Sequence, residues 1–516
     1  MPAGRRHNAG MQRITAHQPH ALHDTAATRR IEAAAAAALP EHTLMQRAGR
    51  ATARLALALA PHARRIWIAC GGGNNGGDGL EAAMLLHRAG HPVVVTWLGT
   101  PATLPADARQ SWQRALDAGV HFAGEPPELG AQDLCVDALL GIGLSAQTRA
   151  HAPDPRLPQW LARMQASAAP TLCVDLPSGL IADSGQYAPG FEALAGPARS
   201  ARHTLSLLTL KPGLFTAHGR DAAGQVWLDD LDVDAHASPA SARLAGPPTA
   251  AARPHASHKG SHGDVAVIGG EGLGARGLGM TGAALLAASA ALHAGAGRVL
   301  LALLDDGVSS ALPELPELML RRVEALRLEQ GAVVCGCGGG AAVAARLPAV
   351  LQQAQRLVLD ADALNAIAAD AELQRLLSER GRHADCATVL TPHPLEAARL
   401  LATSAAAVQA DRLAAAQALA DRYQCTVLLK GSGSIIAAPG QLPHINPTGN
   451  ALLATGGTGD VLAGLVGARL AAGPAASAAA AFDAATQACW QHGAVADDWR
   501  APQALTASRL AQSLHP

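Results

Sequence analysis

The chain has 516 residues, which is more than a single hydrophobic core of about 250–300 residues accommodates, so two large domains are expected. Its 40 Lys and Arg residues are balanced by 41 Asp and Glu residues, giving a formal net charge of −1. This balance lacks the single-sign field that nucleic acids or acidic membranes attract, so neither is expected as a partner.

Residues 1–20 contain arginines but no apolar stretch of the kind that a secretory signal requires. Several of the eight cysteines lie in apolar, strand-like runs, which is typical of buried thiols in a reducing compartment. These features predict a cytoplasmic protein. No C-x-x-C pair or H-E-x-x-H motif occurs, so neither a structural nor a catalytic zinc site of those types is expected.

The first domain begins with a helical pattern over Ile31–Leu59. The strand RIWIAC (65–70) then enters the glycine turn GGGNNGGDG (71–79), which opens a helix and contains a G-x-G-x-x-G match. A dinucleotide site also needs an acid at the end of the second strand, and HPVVVTWLG (91–99) has none. We therefore expect a doubly wound sheet whose loop holds a nucleotide-like ligand in another way.

Two further strands of this domain end near carboxylates. DLCVDALL (133–140) contains Asp137, and TLCVDLPSG (171–179) contains Asp175. Because ligands of open parallel sheets lie at the carboxyl ends of the strands, these groups are expected to converge. A cap or turn role is the alternative for each acid alone. A further strand pattern, 204–215, includes Lys211, which would add positive charge, and Gln225–Leu228 closes the domain.

An Ala-, Ser- and Pro-rich segment, 241–254, is predicted to link a first domain of residues 1–240 to a second of residues 255–516. The second domain repeats the strand, glycine turn and helix rhythm, which predicts another parallel sheet with helices on both faces. The stretch Gly277–Gly297 lacks formal charge, but its Gly and Ala content favours a buried helix over a membrane span. No Walker A motif is present.

The stretch TGNALLATGGTGDVLAG (448–464) combines a glycine turn, Asp460 and the start of an apolar helix. A helix N-terminus offers unpaired N–H groups and partial positive charge to an anion. A carboxylate beside bound phosphate is placed to take the proton of an attacking hydroxyl. The alternative is that Asp460 only caps the helix.

Ordered motifs identify a family resemblance over nearly the whole chain. TVLTPHPLE (388–396), TVLLKGSG (426–433) and NPTGNALLATGGTGDVLAG resemble the carbohydrate-kinase-related domain of NAD(P)H-hydrate dehydratases. GGGNNGGDG, VDALLGIGL (136–144) and VDLPSGL (174–180) resemble the NAD(P)H-hydrate epimerase domain. Together they resemble the bifunctional nicotinamide nucleotide repair enzymes. The implied fold class is α/β, with two doubly wound three-layer domains, the first Rossmann-like and the second ribokinase-like.

For the first domain the resemblance implies epimerisation of the R and S hydrates of NADH and NADPH, with Asp175 as the catalytic proton carrier. It implies a K⁺ site made by Asn75, Asp137 and Ser178. The implied hydrate-binding residues are Asn74, Asn75, Gly76, Gly77, Asp78, Gly141, Ile142, Gly143, Leu144, Ser145, Ala146, Gln147 and Asp175.

For the second domain the resemblance implies phosphorylation of the C6 hydroxyl of the S hydrate, followed by elimination of phosphate. Asp460 would be the catalytic base, ADP the donor as in bacterial members of the family, and Mg²⁺ its companion. Implied hydrate contacts are Ala283, Gly338, His393 and Asp460. Implied nucleotide contacts are Lys430, Gly431, Ser432, Gly433, Ser434 and Gly459.

The turn GCGGG (336–340) departs from the family pattern, with Cys337 where proline is usual and Gly339 where leucine is usual, which puts the role of Gly338 in doubt. Leu395 replaces a usual glycine in TPHPLE. One alternative is a ribokinase-like kinase of a vitamin precursor such as a hydroxymethyl pyrimidine. Another is a first domain that binds nucleotides or partners without catalysis. Association into a homo-oligomer is left open.

Overall fold

The computed structural model describes residues 10–145, 154–235, 238–249, 253–304, 315–500 and 502–516. These residues form two compact units. The first unit comprises the described residues of Met1–Thr15 and His20–Ala242, and the second comprises those of Ala16–Pro19 and Arg243–Pro516.

The first unit alternates strands with helices. Its elements are β1 (Gln12–Arg13), β2 (His20–Leu22), α1 (Thr25–Ala38), α2 (Thr43–Leu59), β3 (Ile66–Cys70), α3 (Asn74–Arg88), β4 (Val93–Trp97), α4 (Ala106–Asp117), β5 (His121–Ala123), β6 (Leu134–Ala138), α5 (Arg156–Ala166), β7 (Thr171–Val174), β8 (Arg202–Leu207), α6 (Gly219–Ala223) and β9 (Gln225–Asp229).

The sheet of this unit has the strand order β1-β9-β8-β7-β6-β3-β4-β5. Every pairing from β9 to β5 is parallel, and β1 joins β9 antiparallel. The chain builds outward from β3 through β4 to β5 and then returns to place β6 on the other side of β3. The carboxyl ends of β3 and β6 therefore flank a topological switch point, where open α/β sheets bind ligands.

Two predictions of secondary structure in this unit were wrong. The single helix over Ile31–Leu59 is two helices, because Pro40 cannot continue α1 and His42 has a positive φ of 66°. The strand predicted over 204–215 is β8 and ends at Leu207, since Leu208 has a φ of 66°. The turn that follows carries Lys211 back over the sheet edge, into a buried position.

The second unit repeats the same alternation. Its elements are β10 (Ala242–Leu244), β11 (Asp264–Gly269), α7 (Leu273–Arg276), α8 (Thr281–His293), β12 (Arg298–Leu303), β13 (Met319–Leu320), β14 (Ala332–Cys335), α9 (Leu347–Gln353), β15 (Arg356–Leu359), α10 (Ala361–Ala369), α11 (Ala371–Arg380), β16 (Ala387–Leu390), α12 (Pro394–Leu401), α13 (Ala405–Ala410), α14 (Arg412–Tyr423), β17 (Thr426–Leu429), β18 (Ile435–Ala437), β19 (His444–Ile445), α15 (Thr458–Ala472), α16 (Ala478–Asp497) and α17 (Ala507–Gln512).

Its sheet runs β13-β12-β11-β14-β15-β16-β17 with parallel pairing, and β18 and β19 extend it antiparallel. The short strand β10, inside the segment predicted as the linker, pairs with β19. The direction of winding reverses between β11 and β14, so a second switch point lies beside the glycine turn 336–340. Each unit has three layers, with helices on both faces of a doubly wound sheet, which confirms the predicted fold class.

Helices α8 and α15 pack closely against each other in the second core. A Cβ added at Gly464 of α15 would lie 2.0 Å from the Ala287 carbonyl oxygen of α8, so only glycine allows this approach. Six alanines of α8 are buried in this core, which confirms the prediction of a buried Gly- and Ala-rich helix. In the described part of the chain, no helix has the length and apolar character needed to cross a membrane.

Candidate active sites

The first site is built on the glycine turn between β3 and α3. Helix α3 begins at Asn74, inside the motif. A Cβ at Gly76 would lie 2.0 Å from the Gly71 carbonyl oxygen, and a Cβ at Gly71 would lie 2.0 Å from the Leu139 carbonyl oxygen. The motif therefore needs glycine at both positions to fold back on itself and to meet the loop after β6.

Asn75 lies buried at the start of α3, and its amide has no protein partner. Neither the Oδ1 nor the Nδ2 atom makes a hydrogen bond within the described residues, although the side chain is only 9% exposed. A Cβ on Gly141 would lie 3.4 Å from the Asn75 Cβ, so the loop after β6 closes over the amide. Because buried amides normally find partners, this orphaned group points to a ligand.

Asp137 and Ser178 are brought into direct contact at the ends of β6 and β7. The Asp137 carboxylate is fully buried and accepts hydrogen bonds from the Ser178 hydroxyl at 2.6 Å and the Ser178 backbone N–H at 2.9 Å. The Leu140 backbone N–H donates to the Ser178 hydroxyl at 2.8 Å. Burial raises the pKa of Asp137, against the opposing effect of the Ser178 hydrogen bonds.

Asp175 follows β7 in a left-handed conformation, with φ 65°. Its Oδ1 atom pairs with the ammonium group of Lys211 and also accepts a hydrogen bond from the Leu207 backbone N–H at 3.1 Å. Lys211 is 1% exposed and also donates to the Leu207 carbonyl oxygen at 2.7 Å. The lysine that the sequence marked as an added positive charge is therefore the direct partner of the predicted proton carrier.

Two further carboxyl groups share the electrostatic field of Asp175. Burial, and then the charges of Asp175 and Glu32, raise the pKa of Asp78 well above its usual range. Burial and Asp175 likewise raise the pKa of Glu32, which lies on α1. Sequence reasoning missed Glu32, because an acid within an alanine-rich helix gives no signal of its own.

The other predicted hydrate-binding residues of the first unit surround this arrangement. Asn74 is exposed at the mouth of the turn, and Gly76 and Gly77 are buried beneath it. Ile142, Gly143, Leu144 and Ser145 continue the loop that contacts Asn75. Ala146 and Gln147 lie outside the described residues.

The second site centres on the start of α15. Gly457 is the N-cap residue of the helix and has a φ of 91°, a conformation that favours glycine. Because glycine has no side chain, no side-chain hydrogen bond caps the helix at this position. Asp460 is the third residue of the helix, and the N-cap position is occupied by Gly457. Asp460 is therefore not the N-cap residue, although a carboxylate in the first turn still favours the helix dipole. Burial, followed by the charge of Asp360, raises the pKa of Asp460 to about 7.

Asp360, at the end of β15, is fixed by neighbours on the next two strands. Its Oδ1 atom accepts hydrogen bonds from the Thr391 hydroxyl and the Lys430 ammonium group, each at 2.7 Å. A Cβ on Gly459 would lie 3.3 Å from the Lys430 Nζ atom, so the ammonium group lies beside the glycine loop. Burial lowers the pKa of Lys430, but Asp360 and Glu396 raise it overall, and the lysine stays charged. The sequence analysis did not single out Asp360.

His393, predicted as a hydrate contact, is also the N-cap residue of α12. Its Nδ1 atom caps α12 by accepting hydrogen bonds from the Leu395 and Glu396 backbone N–H groups at 3.1 and 3.2 Å. Its Nε2 atom lies 3.2 Å from the buried Glu396 carboxylate, which approaches Lys430 at 4.0 Å. Burial, and then the charge of Lys430, lower the pKa of His393, which favours the neutral ring.

Cys337, Gly338 and Ala283 form the floor of the second site. Gly338 has a φ of 59°, and a Cβ there would lie 2.9 Å from the Ala283 Cβ and 2.5 Å from the Met280 carbonyl oxygen. The predicted contacts Gly338 and Ala283 therefore adjoin each other. The Cys337 thiol is fully buried and lies 3.8 Å from the Asp360 carboxylate.

The predicted nucleotide loop follows β17 at the same edge of the sheet. Gly431 and Gly433 have φ values of 144° and 60°, which glycine adopts readily. The Ser434 hydroxyl donates to the Gly431 carbonyl oxygen at 3.1 Å and closes the turn. Ser432 is exposed beside it, and Lys430 reaches from the base of the loop toward Gly459.

A Rossmann-like unit and a ribokinase-like unit, each with polar groups at its switch point, define an α/β protein of the nucleotide-handling class. A family model described as YjeF-related protein N-terminus matches residues 41–213, and one described as NAD(P)H-hydrate dehydratase matches residues 265–515. The chain belongs to the family of bifunctional NAD(P)H-hydrate repair enzymes, as the sequence resemblance predicted.

Two sequence relatives agree with this assignment. The bifunctional NAD(P)H-hydrate repair enzyme of Escherichia coli (strain K12) is 36% identical over 90% of this chain and 87% of its own. The ADP-dependent (S)-NAD(P)H-hydrate dehydratase of Neisseria meningitidis is 41% identical over 51% of this chain and 86% of its own. A solved ADP/ATP-dependent NAD(P)H-hydrate dehydratase from Bacillus subtilis, co-crystallised with ATP/Mg²⁺, is 28% identical, with a TM-score of 0.40 over 50% of this chain and 90% of its own.

Proposed function

We propose that the first unit interconverts the R and S hydrates of NADH and NADPH, and that the second unit dehydrates the S hydrate at the expense of ADP. The observation that carries this proposal is Asp460, a carboxyl group that is not the N-cap residue of α15, has a pKa of about 7, and lies beside a glycine loop and a charged lysine. A general base works best when its pKa lies near the working pH.

In the second unit, Asp460 removes the proton from the C6 hydroxyl of the S hydrate while the hydroxyl oxygen attacks the terminal phosphate of ADP. The bond to the leaving AMP breaks, and the backbone N–H groups of the loop at Gly459 stabilise the transferring phosphoryl group with Lys430. The C6–O bond then breaks and phosphate leaves, the adjacent C5 carbon loses a proton to the departing phosphate or to water, and the C5=C6 double bond of the reduced nicotinamide ring is restored. Mg²⁺ is proposed to accompany ADP, held mainly by phosphate oxygens and water.

In the first unit, Asp175 is proposed to transfer protons as the hemiaminal at C6 opens and recloses. The Lys211 ammonium group fixes its carboxylate on the Oδ1 side and leaves Oδ2 for the substrate. The raised pKa of Asp78 favours its protonated form, and Asp78 is therefore proposed as a second proton donor whose charge interacts with that of Asp175. Asn75, Asp137 and Ser178 offer the oxygen ligands that a hard cation prefers, and K⁺ is proposed there. The orphaned Asn75 amide supports that site.

The pH dependence of dehydration tests the role of Asp460. The value of kcat/KM for the S hydrate at saturating ADP should fall below about pH 7, because the protonated carboxyl group cannot accept the hydroxyl proton. The expected slope is about tenfold per pH unit, as for one ionising group. Asp460→Glu keeps a carboxyl group and should keep an acid limb. A flat profile from one unit below to one unit above pH 7 would refute this assignment.

The proposed K⁺ site is tested at Asn75. Because the Asn75 amide makes no hydrogen bond within the described residues, Asn75→Ala should leave the thermal stability of the fold unchanged. The K⁺ concentration for half-maximal epimerisation should rise by at least about tenfold, the smaller loss that even an outer-shell partner of a metal causes. Dehydration by the same variant serves as the internal control. An unchanged K⁺ requirement would remove Asn75 from the site.

A further inference from the structure

Three potential metal ligands converge beneath the glycine loop of the second unit. The Cys337 thiol and the carboxylates of Asp360 and Asp460 each offer one atom, and these atoms all lie within 4.8 Å of one another. The three residues are far apart in the sequence and lie at the ends of two strands and the start of a helix, so they form no recognisable metal-binding motif.

The carboxylate oxygens that face the Cys337 thiol are not paired with a cationic side chain. Asp360 uses Oδ1 for Lys430 and Thr391, and its Oδ2 lies 3.8 Å from the Cys337 Sγ atom. Within the described residues, Asp460 has no ion pair, and one of its carboxylate oxygens lies within 4.8 Å of the Cys337 Sγ atom. The thiol thus lies between two carboxylate oxygens that no cationic side chain occupies.

We propose that Cys337, Asp360 and Asp460 bind a thiophilic divalent cation of the Zn²⁺ class, and that this cation blocks the dehydratase. Tetrahedral zinc bonds of about 2.0–2.3 Å place neighbouring ligand atoms roughly 3.3–3.8 Å apart. A sulfur–oxygen pair in this geometry is roughly 3.5 Å apart, so the contact of 3.8 Å between Sγ and Oδ2 needs to close by only about 0.3 Å. Three protein ligands leave a fourth position for water or a phosphate oxygen.

Charge and ligand type favour Zn²⁺ over Mg²⁺ at this position. Two carboxylates and a thiolate carry three negative charges, and Lys430 together with a divalent cation supplies three positive charges, so the bound cluster is neutral. Binding breaks the S–H bond of Cys337, forms a metal–sulfur bond and releases the proton to water. Mg²⁺ prefers oxygen ligands in octahedral geometry and gains little from a thiolate.

The cation has a path to the site and a consequence there. Asp460 is partly exposed at the start of α15, whereas Cys337 and Asp360 are buried. A metal held by the Asp460 carboxylate occupies the electron pair that would accept the hydroxyl proton. The binding step stands on geometry alone, and the inhibition rests on the proposed role of Asp460.

Binding is tested on the full chain with Co²⁺, which reports thiolate ligation by a charge-transfer absorbance. Co²⁺ should produce the band in the unaltered protein, and Zn²⁺ should displace it at equimolar concentration, whereas excess Mg²⁺ should not. Cys337→Ser should lose the band. Cys386→Ser is the matched control, since Cys386 is the only one of the eight cysteines that is not buried. No band, or a band that survives Cys337→Ser, overturns the site.

Inhibition is tested by titrating Zn²⁺ into S-hydrate dehydration with ADP and excess Mg²⁺. The half-inhibiting concentration, relative to each variant's own uninhibited rate, should rise at least about 10–100-fold in Cys337→Ser, since even outer-shell changes cost that much metal affinity. Cys386→Ser should match the unaltered protein. Should Cys337→Ser fail to fold, Asp460→Asn must weaken Co²⁺ binding instead, and undiminished binding overturns the site. A Cys337-dependent band without inhibition contradicts the blocking step alone, whereas an active Asp460→Asn variant contradicts the proposed function alone.

Discussion

Asp460→Asn is expected to lower the turnover of the S hydrate by about 10²–10⁴-fold, the usual contribution of a general base. The amide has the same size as the carboxyl group but cannot accept the hydroxyl proton. No capping bond of α15 depends on the side chain, so the helix should remain intact. ADP should bind at least as tightly, because a negative charge beside its phosphates is removed. The measurements are single-turnover dehydration and ADP calorimetry.

The same variant should also change the pH dependence of stability. The pKa of Asp460 is about 7 in the folded protein against 3.8 for an unperturbed aspartate, so the folded state binds more protons between these values. The free energy of unfolding therefore falls as pH rises through that window. Asp460→Asn should lose this slope and melt at a higher temperature at pH 8 than the unaltered protein. Near-normal turnover in a folded variant would show that Asp460 is not the base.

Asp175→Asn is expected to lower epimerisation by about 10²–10⁴-fold, again the loss of a proton-transferring group. It should also destabilise the first unit, because the Lys211 ammonium group is 1% exposed and loses its only ion-pair partner within the described residues. Removing one member of a buried pair typically costs about 3–5 kcal/mol. Chromatographic separation of the R and S hydrates gives the rate, and urea unfolding gives the stability.

The double variant Asp175→Asn with Lys211→Met separates chemistry from folding. Replacing the ammonium group by an apolar side chain of similar length removes the unpaired charge, so stability should recover. Epimerisation should stay low if the carboxylate transfers protons. Recovery of both properties would instead make the pair structural, and the proton carrier would have to be sought at Asp78 or Glu32.

Strand ends were the part of each site that the sequence predicted well. Asp137 and Ser178 follow separate apolar runs, and parallel strands deliver their ends to one edge, so their contact at 2.6 Å follows from topology. The glycine turns were equally readable, since positions such as Gly457 and Gly76 tolerate no other residue. These signals are local and depend on one strand at a time.

Pairings between distant elements could not be read in this way. Asp175 and Lys211 meet because the chain turns at Leu208, a position at which the sequence pattern predicted a continuing strand. Asp360 was one of many strand-end acids until Lys430, 70 residues further on, placed its ammonium group against it. Tertiary proximity, and not residue type, distinguishes these groups from ordinary turn acids.

The most direct test of the central claim supplies racemic NADPH hydrate and ADP to the full chain with K⁺ and Mg²⁺ and follows the absorbance of reduced nicotinamide. The account predicts complete recovery of NADPH, because the first unit converts the R hydrate into the form that the second unit consumes. With the Asp175→Asn, Lys211→Met variant, NADPH recovery should stop at the amount supplied by the S hydrate, because the R hydrate is no longer converted. No recovery with ADP, or a stop at the S share with the unaltered chain, would contradict the account.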